Sequence, residues 1–136
     1  MKKITISGSS SLQDDIKKWV KYWTDAGYQV IDYPEAIDKN NLVKEYPKLH
    51  KDFYSHINQS NTLFIMNEDK KDIKGYIGAA TFAEIAFAVT QNLIFDKKID
   101  IKLIKMPAPE VQCYDEIKLW IEIGWINISP EPNNRL

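Results

Sequence analysis

A single carboxylate inside an apolar segment is the side chain of this sequence best suited to do chemistry. Glu84 lies in the segment Ala79–Val89, which is otherwise apolar except for Thr81. Ionised groups are rarely buried unless they are paired or used, so Glu84 is a candidate catalytic carboxylate. The alternative interpretation is a solvated glutamate on the outer face of an amphipathic helix.

A first polar loop, Ser7–Ser11, offers small and hydroxyl-bearing residues between a strand and a helix. Its candidate ligand-binding residues are Gly8, Ser9, Ser10 and Ser11. A junction of this kind presents free N–H groups, hydroxyls and the positive end of a helix dipole, which suit an anion such as a phosphate. Serine-rich turns are also good helix caps, and Ser10 with Gln13 has the spacing of a capping box. A purely structural role is therefore the alternative.

A second polar loop, residues 67–78, follows an apolar run and leads into the helix that carries Glu84. Its candidate groups are Asn67, Glu68, Asp69, Asp72, Tyr76 and Gly78. Two carboxylates that flank a glycosidic bond act as nucleophile and general acid, and a nearby tyrosine can orient the nucleophile. Glu84 would pair with a carboxylate of this loop, and Tyr76 or Tyr33 would supply the hydroxyl. Charged runs such as 68–72 are otherwise solvated loops.

The motifs of several other enzyme classes are missing from the sequence. Gly8 stands alone, without the G-x-G-x-x-G of dinucleotide-binding folds, and there is no Walker A loop. A serine nucleophile would need a positioned base, and no further ligand stands at metal spacing from His50 or His56. Both histidines are therefore interpreted as structural, and no metal site is predicted.

Composition indicates one ordinary globular domain. The 136 residues are 44% hydrophobic and 27% charged, and the net charge is −1 with both signs interspersed. This distribution argues against a nucleic-acid or anionic-membrane surface. The single Cys113 fits a reducing cytoplasm, and neither a signal peptide nor an apolar run of membrane-spanning length is visible.

Hydrophobic patterns predict strands and helices in strict alternation. The predicted strands are Ile4–Ile6, Tyr28–Asp32, Thr62–Met66, Ile101–Met106 and Trp125–Ile128. Alternation requires parallel strands with right-handed crossovers, hence an α/β, flavodoxin-like or Rossmann-like three-layer α-β-α sandwich. We expect a five-stranded sheet of order 2-1-3-4-5, one domain over residues 1–128, and a loose C-terminal tail over residues 129–136.

The predicted strand order brings the two polar loops together. The switch point lies between strands one and three, so the loops 7–11 and 67–78 should face each other across one cleft. We expect a helix to begin at Pro47 after an irregular connection, Ile37–Glu45. In the helix after the second loop, the stripe predicted to face the sheet is Phe82, Ile85, Ala86, Val89 and Leu93. Glu84 would then lie on roughly the opposite side.

The segment GYIGAATFAEIAFAV, with the Ile6–Ser9 turn and the Asn/Asp-rich second loop, resembles the nucleoside 2-deoxyribosyltransferase family, including its deoxynucleoside 5′-monophosphate N-hydrolase branch. The resemblance implies a flavodoxin-like domain without metal or organic cofactor. It also implies a homodimer or larger homo-oligomer in which a neighbouring subunit completes the site. The implied reaction is cleavage or transfer of the N-glycosidic bond of a (deoxy)nucleoside or its 5′-monophosphate.

The resemblance also implies roles for individual residues. Glu84 matches the nucleophile that attacks C1′ of the sugar and forms a covalent glycosyl-enzyme. Gly8 and Ser9 match the loop that holds the sugar or its 5′ substituent, and Asn67 matches a position beside the nucleobase. The aspartate that usually precedes the family's catalytic glutamate is replaced here by Tyr76-Ile77-Gly78.

Two other functions stay open on the sequence. The missing aspartate motivates a non-catalytic nucleotide-binding or sensing module that keeps the fold and the cleft. A glycohydrolase acting on a larger nucleotide such as NAD is the third possibility, because related carboxylate sites can attack the ribosyl bond to nicotinamide.

Overall fold

The computed structural model describes residues 1–131 as alternating strands and helices. The strands are β1 (Lys3–Ser7), β2 (Gln29–Asp32), β3 (Thr62–Ile65), β4 (Asp100–Leu103) and β5 (Asn127–Ile128). The helices are α1 (Gln13–Asp25), α2 (Leu42–Gln59), α3 (Ala79–Phe95) and α4 (Tyr114–Ile123). Within this part of the chain, no helix has both the length and the apolar content needed to cross a membrane.

The five strands form one sheet in the order β2-β1-β3-β4-β5, and every neighbouring pair is parallel. The predicted α/β class and strand order are confirmed. Ser7 and Ile65 are paired in register, so β1 and β3 end at the same level. The loops that follow these two strands therefore leave the sheet side by side, which is the arrangement expected at a switch point.

The helices cover the two faces of the sheet unequally. Helix α1 packs on one face, in a core that includes Trp23 and Phe64. Helices α2, α3 and α4 pack on the other face, around Leu63, Ile85 and Ile117. Because successive strand residues point to opposite faces, Ile4 and Ile6 of β1 join the α1 core while Thr5 and Ser7 point towards α2 and α3. This alternation sets the direction of the Ser7 hydroxyl.

The largest departure from the predicted elements is at α2. The connection predicted to be irregular is largely helical: a 3-10 turn, Lys39–Asn41, leads into a helix that contains Pro47 in its interior. The Asp38 carboxylate accepts a hydrogen bond from Asn40 N at 3.0 Å and so starts this turn. The N-terminal part of α2 is exposed, so water can bond the carbonyl that Pro47 leaves without a donor.

Several strand ends differ from the prediction, and at two of them a side chain or a helix cap takes over the backbone groups. β4 ends at Leu103 rather than Met106, since Ile104 N donates to the Asn67 side chain at 2.9 Å. β5 begins at Asn127, because Trp125 N still bonds the C-terminal turn of α4. The element type was thus predicted correctly, and the boundary was decided by tertiary contacts.

The start of the C-terminal tail is fastened to the sheet. Ser129 N donates to Leu103 O at 3.1 Å, and Lys102 Nζ donates to Glu131 O at 3.0 Å. Lys102 is buried, so the tail covers part of the face that α1 leaves open. Residues 129–131 are therefore hydrogen-bonded to the sheet, and a tail that is loose unless a partner subunit holds it stays a prediction for residues 132–136, which lie outside the described part of the chain.

Candidate active site

Glu84 lies at the edge of the buried face of α3. The buried residues of this helix are Thr81, Ile85, Ala88 and Val89, whereas Leu93 is 49% exposed. The buried face of α3 is therefore rotated about the helix axis relative to the predicted stripe. A helix that is apolar all round has little periodicity from which its buried face can be predicted. Glu84, one turn from Thr81 and from Ala88, points towards β1 and is partly buried.

The carboxylate of Glu84 is held by the last residue of β1. Ser7 Oγ donates a hydrogen bond to Glu84 Oε1, and Ser7 is fully buried. Burial raises the pKa of Glu84 to about 7; the negative charge of Asp32 adds to this, and the Ser7 hydrogen bond opposes it. A partly buried carboxylate that titrates near neutral pH at the carboxyl end of a strand is a candidate functional group.

A histidine–aspartate pair lies at the carboxyl end of β2, and the charge of its aspartate acts on Glu84. His56 Nδ1 and Asp32 Oδ2 are 2.7 Å apart, and Asp32 is the last residue of β2. One turn further along α2, Ser60 Oγ bonds the side chain of Thr5, which packs α2 against β1. The sequence interpretation of His56 as merely structural missed this pair. An acidic residue at the carboxyl end of a predicted strand was the available signal.

The tyrosine whose pKa is affected by the charge of Glu84 is Tyr54, which the sequence did not single out. Burial raises the pKa of Tyr54 to about 12, with the charges of Glu84 and Tyr46 adding to the effect. The Tyr54 ring packs on Phe87 of α3 at 4.9 Å and stacks on His50 at 4.1 Å between ring centroids. Tyr54 therefore forms part of the α2 wall next to Glu84.

The two predicted tyrosines have no hydrogen bond to Glu84 among the described residues. Tyr76 lies at the start of α3, where a Cβ atom on Gly78 would be 3.3 Å from its hydroxyl oxygen. A side chain at position 78 would therefore require the Tyr76 ring to move by a few tenths of an ångström. Tyr33 lines a cavity of about 530 Å³ against Gln13 and other residues of α1, and Glu84 and Tyr76 are not among its lining residues.

Two of the three predicted loop carboxylates, Glu68 and Asp69, are held by cations, whereas Asp72 is exposed and makes no ion pair within residues 1–131. Glu68 accepts hydrogen bonds from Lys18 Nζ at 3.0 Å and Trp19 Nε1 at 2.9 Å. Asp69 accepts from Lys105 Nζ at 2.9 Å and from a backbone N–H of the same loop. The lysine and the backbone N–H lower the pKa of Asp69; burial raises the pKa of Glu68, but its hydrogen bonds outweigh this and lower it. These contacts favour a role in holding the loop over proton donation.

Asn67 and Gly8 also serve the packing of the cleft. Asn67 is buried; its Oδ1 accepts from Ile104 N at 2.9 Å and its Nδ2 donates to Lys105 O at 2.8 Å. Its polar atoms thus join β3 to the chain after β4. A Cβ atom on Gly8 would lie 2.9 Å from Met66 O, so only glycine allows β1 and β3 to approach this closely here.

The serines of the first loop meet the second loop directly. Ser9 Oγ lies 2.9 Å from Ser11 Oγ and accepts a hydrogen bond from Lys70 Nζ at 2.7 Å. The predicted capping box is wrong: α1 begins at Gln13 without a side-chain cap, and the Gln13 side chain bonds the backbone carbonyl of Ser10 instead. The exposed Ser10 side chain takes no part in the contact between the loops.

In the described part of the chain, no three histidine, cysteine, aspartate or glutamate side chains are grouped as metal ligands. No protein-family model matches the sequence, and a search of curated proteins found no match. The assignment of chemistry therefore rests on geometry. The carboxyl ends of β1, β2 and β3 place a serine-bonded glutamate, a histidine–aspartate pair and a lysine–serine contact at one edge of the sheet.

Proposed function

We propose that this protein cleaves or transfers the N-glycosidic bond of a nucleoside or nucleotide, with Glu84 as the nucleophile. The observation that carries the proposal is the partly buried Glu84 carboxylate, bonded by Ser7 at the switch point of a parallel sheet. Such a carboxylate is held in one orientation, and its ionised form can attack C1′ as the nucleophile of a retaining glycosidic reaction. The resemblance of the segment around Glu84 to nucleoside 2-deoxyribosyltransferases supports the same chemistry.

In the first step, a Glu84 oxygen attacks C1′ of the sugar while the bond from C1′ to the base nitrogen breaks. The base leaves with the bonding electrons and takes up a proton. Water, or the N–H of a second base, then attacks C1′ and releases the carboxylate, and its proton returns to the group that protonated the first base. Because Ser7 bonds Oε1, it leaves Oε2 free to attack and restricts the rotation of the side chain.

The leaving base requires a proton donor. Asp69 is a poor candidate, because Lys105 holds it and its pKa is lowered. His56 is our candidate for this role, since Asp32 orients its ring through Nδ1 and leaves Nε2 to carry the proton. The pair would replace the aspartate that the family usually carries before its catalytic glutamate.

The proposal is tested by chromatography of reaction mixtures. We expect the wild-type protein to release or exchange the base of at least one compound in a panel of nucleosides, their 5′-monophosphates and NAD, with and without an acceptor base. Nicotinamide release alone would identify an NAD glycohydrolase. Tight calorimetric binding of a nucleotide without base release over hours would contradict the proposal and favour a non-catalytic sensing module.

The neighbours of Glu84 should move its titration in opposite directions. Catalysis needs the ionised carboxylate, so kcat/KM should fall as the pH is lowered through about 7. Asp32→Asn removes a negative charge and should shift this fall to lower pH, whereas Ser7→Ala removes a stabilising hydrogen bond and should shift it to higher pH, each by about half a pH unit or more. The pH profiles of the two variants measure both shifts. Shifts of the two variants in the same direction would contradict the assignment of this pH dependence to Glu84.

The remaining expectations about the assembly and compartment stay predictions. A homodimer or larger homo-oligomer is implied by the family resemblance, and a cytoplasmic location by the single Cys113. The steps given above name groups of one chain, and the resemblance implies that a neighbouring subunit adds to the same site.

A further inference from the structure

Two hydroxyl groups connect strand β1 to the backbone of the residue that carries the candidate proton donor. Ser60 Oγ donates a hydrogen bond to His56 O at 2.8 Å. Ser60 Oγ also lies 2.8 Å from Thr5 Oγ1. Because the single proton of the Ser60 hydroxyl is used on the carbonyl, Thr5 is the donor in this second contact. The chain of hydrogen bonds therefore runs from Thr5 through Ser60 to His56.

Both hydroxyl groups are shielded from water, since Thr5 and Ser60 are buried. A buried hydroxyl that loses its partner costs free energy, so the two groups hold each other in one arrangement. Consecutive hydrogen bonds also polarise and strengthen one another. The connection between β1 and the last turn of α2 is therefore well defined.

Helix α2 depends on this connection because little else of the helix is buried. Of its 18 residues only Ile57 is buried, and every residue from Leu42 to Lys51 is exposed. The second half of α2 is thus the part that contacts the rest of the domain, and it carries His56. A change in how this half is attached would move the imidazole ring.

An irregularity in β2 brings the partner of the imidazole to the same level of the sheet. The register between β1 and β2 shifts at Thr5, which is paired with Asp32 rather than with Ile31. Val30 packs in the α1 core, and a regular strand would point Asp32 to that same face. The extra residue instead places Asp32 next to Thr5 and on the α2 face, where it contacts His56 Nδ1 at 2.7 Å.

Strand β1 therefore contacts both of the groups that the proposed reaction needs. Thr5 and Ser7 are two positions apart and point to the same face of the sheet. Ser7 bonds the Glu84 carboxylate, and Thr5 bonds the backbone of the proton donor through Ser60. Groups that must act together are best held by one rigid element, and here that element is the buried strand β1.

We propose that Thr5, acting through Ser60, is a positioning residue that fixes the His56 imidazole for protonation of the leaving base. This inference rests on the proposed function and adds to it a residue that touches neither the substrate nor the reacting atoms. In the step concerned, the bond from C1′ to the base nitrogen breaks and the base keeps the electron pair. The proton on His56 Nε2 passes to a nitrogen of the base, which leaves a neutral imidazole.

Thr5→Val tests the proposal, because valine has nearly the shape of threonine and lacks the hydroxyl. We expect kcat for base release to fall by about 10- to 100-fold with KM unchanged, since a displacement of about 1 Å can cost a hundredfold in rate. Thr5→Ser keeps the hydroxyl and should keep a kcat close to wild type. Thr62→Val is the matched control: Thr62 is buried in β3, and its register partner Ile4 lies in the α1 core, away from α2.

A double-mutant cycle with His56→Gln distinguishes positioning of the imidazole from a general effect on the fold. His56→Gln removes the proton donor and should slow base release by about a hundredfold or more. If Thr5 acts through His56, adding Thr5→Val to this variant should cause less than about a twofold further loss. Equal losses in both backgrounds, or a Thr5→Ser variant as slow as Thr5→Val, would overturn the proposal.

Nitrogen-15 NMR of the histidine rings needs no substrate, so it separates failure of this inference from failure of the proposed function. Asp32 accepts from Nδ1, so neutral His56 should carry its proton there in wild type and in Thr62→Val. Thr5→Val should shift the ring nitrogens towards the tautomer mixture of a histidine in water. If they shift but no compound of the panel loses its base, the positioning role stands and the glycosidic reaction is wrong. If base is released and Thr5→Val changes neither kcat nor the ring nitrogens, the reaction stands and Thr5 has no positioning role.

Discussion

Glu84→Gln is expected to slow release of the base by at least about a thousandfold, because a neutral amide cannot attack C1′. Gln has the same shape as Glu, and its Oε1 can still accept the hydrogen bond from Ser7. The variant should therefore fold normally and bind substrate with an affinity close to that of wild type. Initial rates of base release, measured for both proteins on the best substrate of the panel, test this expectation.

The matched control is Glu122→Gln, which makes the same chemical change at an exposed position of α4 and should keep wild-type turnover. A covalent intermediate gives an independent readout. Rapid acid quench and mass spectrometry of wild-type protein should detect one glycosyl group on the peptide that contains Glu84, and none in the Gln variant. Full turnover by Glu84→Gln would exclude Glu84 as the nucleophile.

The same substitution should make the protein more stable at alkaline pH. Folding raises the pKa of Glu84 to about 7, so between about pH 4.5 and pH 7 the folded protein binds more protons than the unfolded chain. The contribution of Glu84 to stability is then fully present below pH 4.5 and is lost as the pH rises through 7. A pKa change from 4.5 to about 7 corresponds to at most about 3 kcal/mol of stability lost at high pH. The Gln variant has no proton to lose, so its stability does not fall in this way.

Urea unfolding at pH 5 and pH 8 measures this effect. The free energy of unfolding of Glu84→Gln relative to wild type should increase between the two pH values by up to about 3 kcal/mol. Glu122→Gln again serves as control, with a difference from wild type that does not change with pH. A Gln variant whose relative stability is the same at both pH values would mean that Glu84 is not desolvated in the folded protein.

Loss of turnover combined with a gain in stability is the pattern expected of a working residue. A carboxylate kept only for stability would be paired with a cation, as Asp69 is with Lys105, and its removal would destabilise the protein. Glu84 instead has no cation partner among the described residues, and the charge of Asp32 opposes its ionisation. The chain thus tolerates an unfavourable carboxylate at the switch point of its sheet, as functional sites commonly do.

The α/β class and the strand order could be predicted because both depend on local patterns and on general rules of connection. Apolar runs such as Thr62–Met66 and helical stripes such as that of α4 reveal element type, and right-handed crossovers then leave few possible topologies. The first and last residues of the strands and helices were harder to predict from the sequence. β4 stops where the buried Asn67 takes the N–H of Ile104, and this contact joins residues 37 positions apart.

The sequence by itself determined that Glu84 is an anomaly and that two polar loops follow the strands on either side of the switch point. Only the tertiary structure decided which side chains lie around Glu84 and between the two loops. Ser7 and Glu84 are 77 positions apart, Ser9 and Lys70 are 61 apart, and Asp32 and His56 are 24 apart. Such pairs form when the parallel sheet brings the ends of β1, β2 and β3 to one edge, and no local pattern of residues records which side chains then meet.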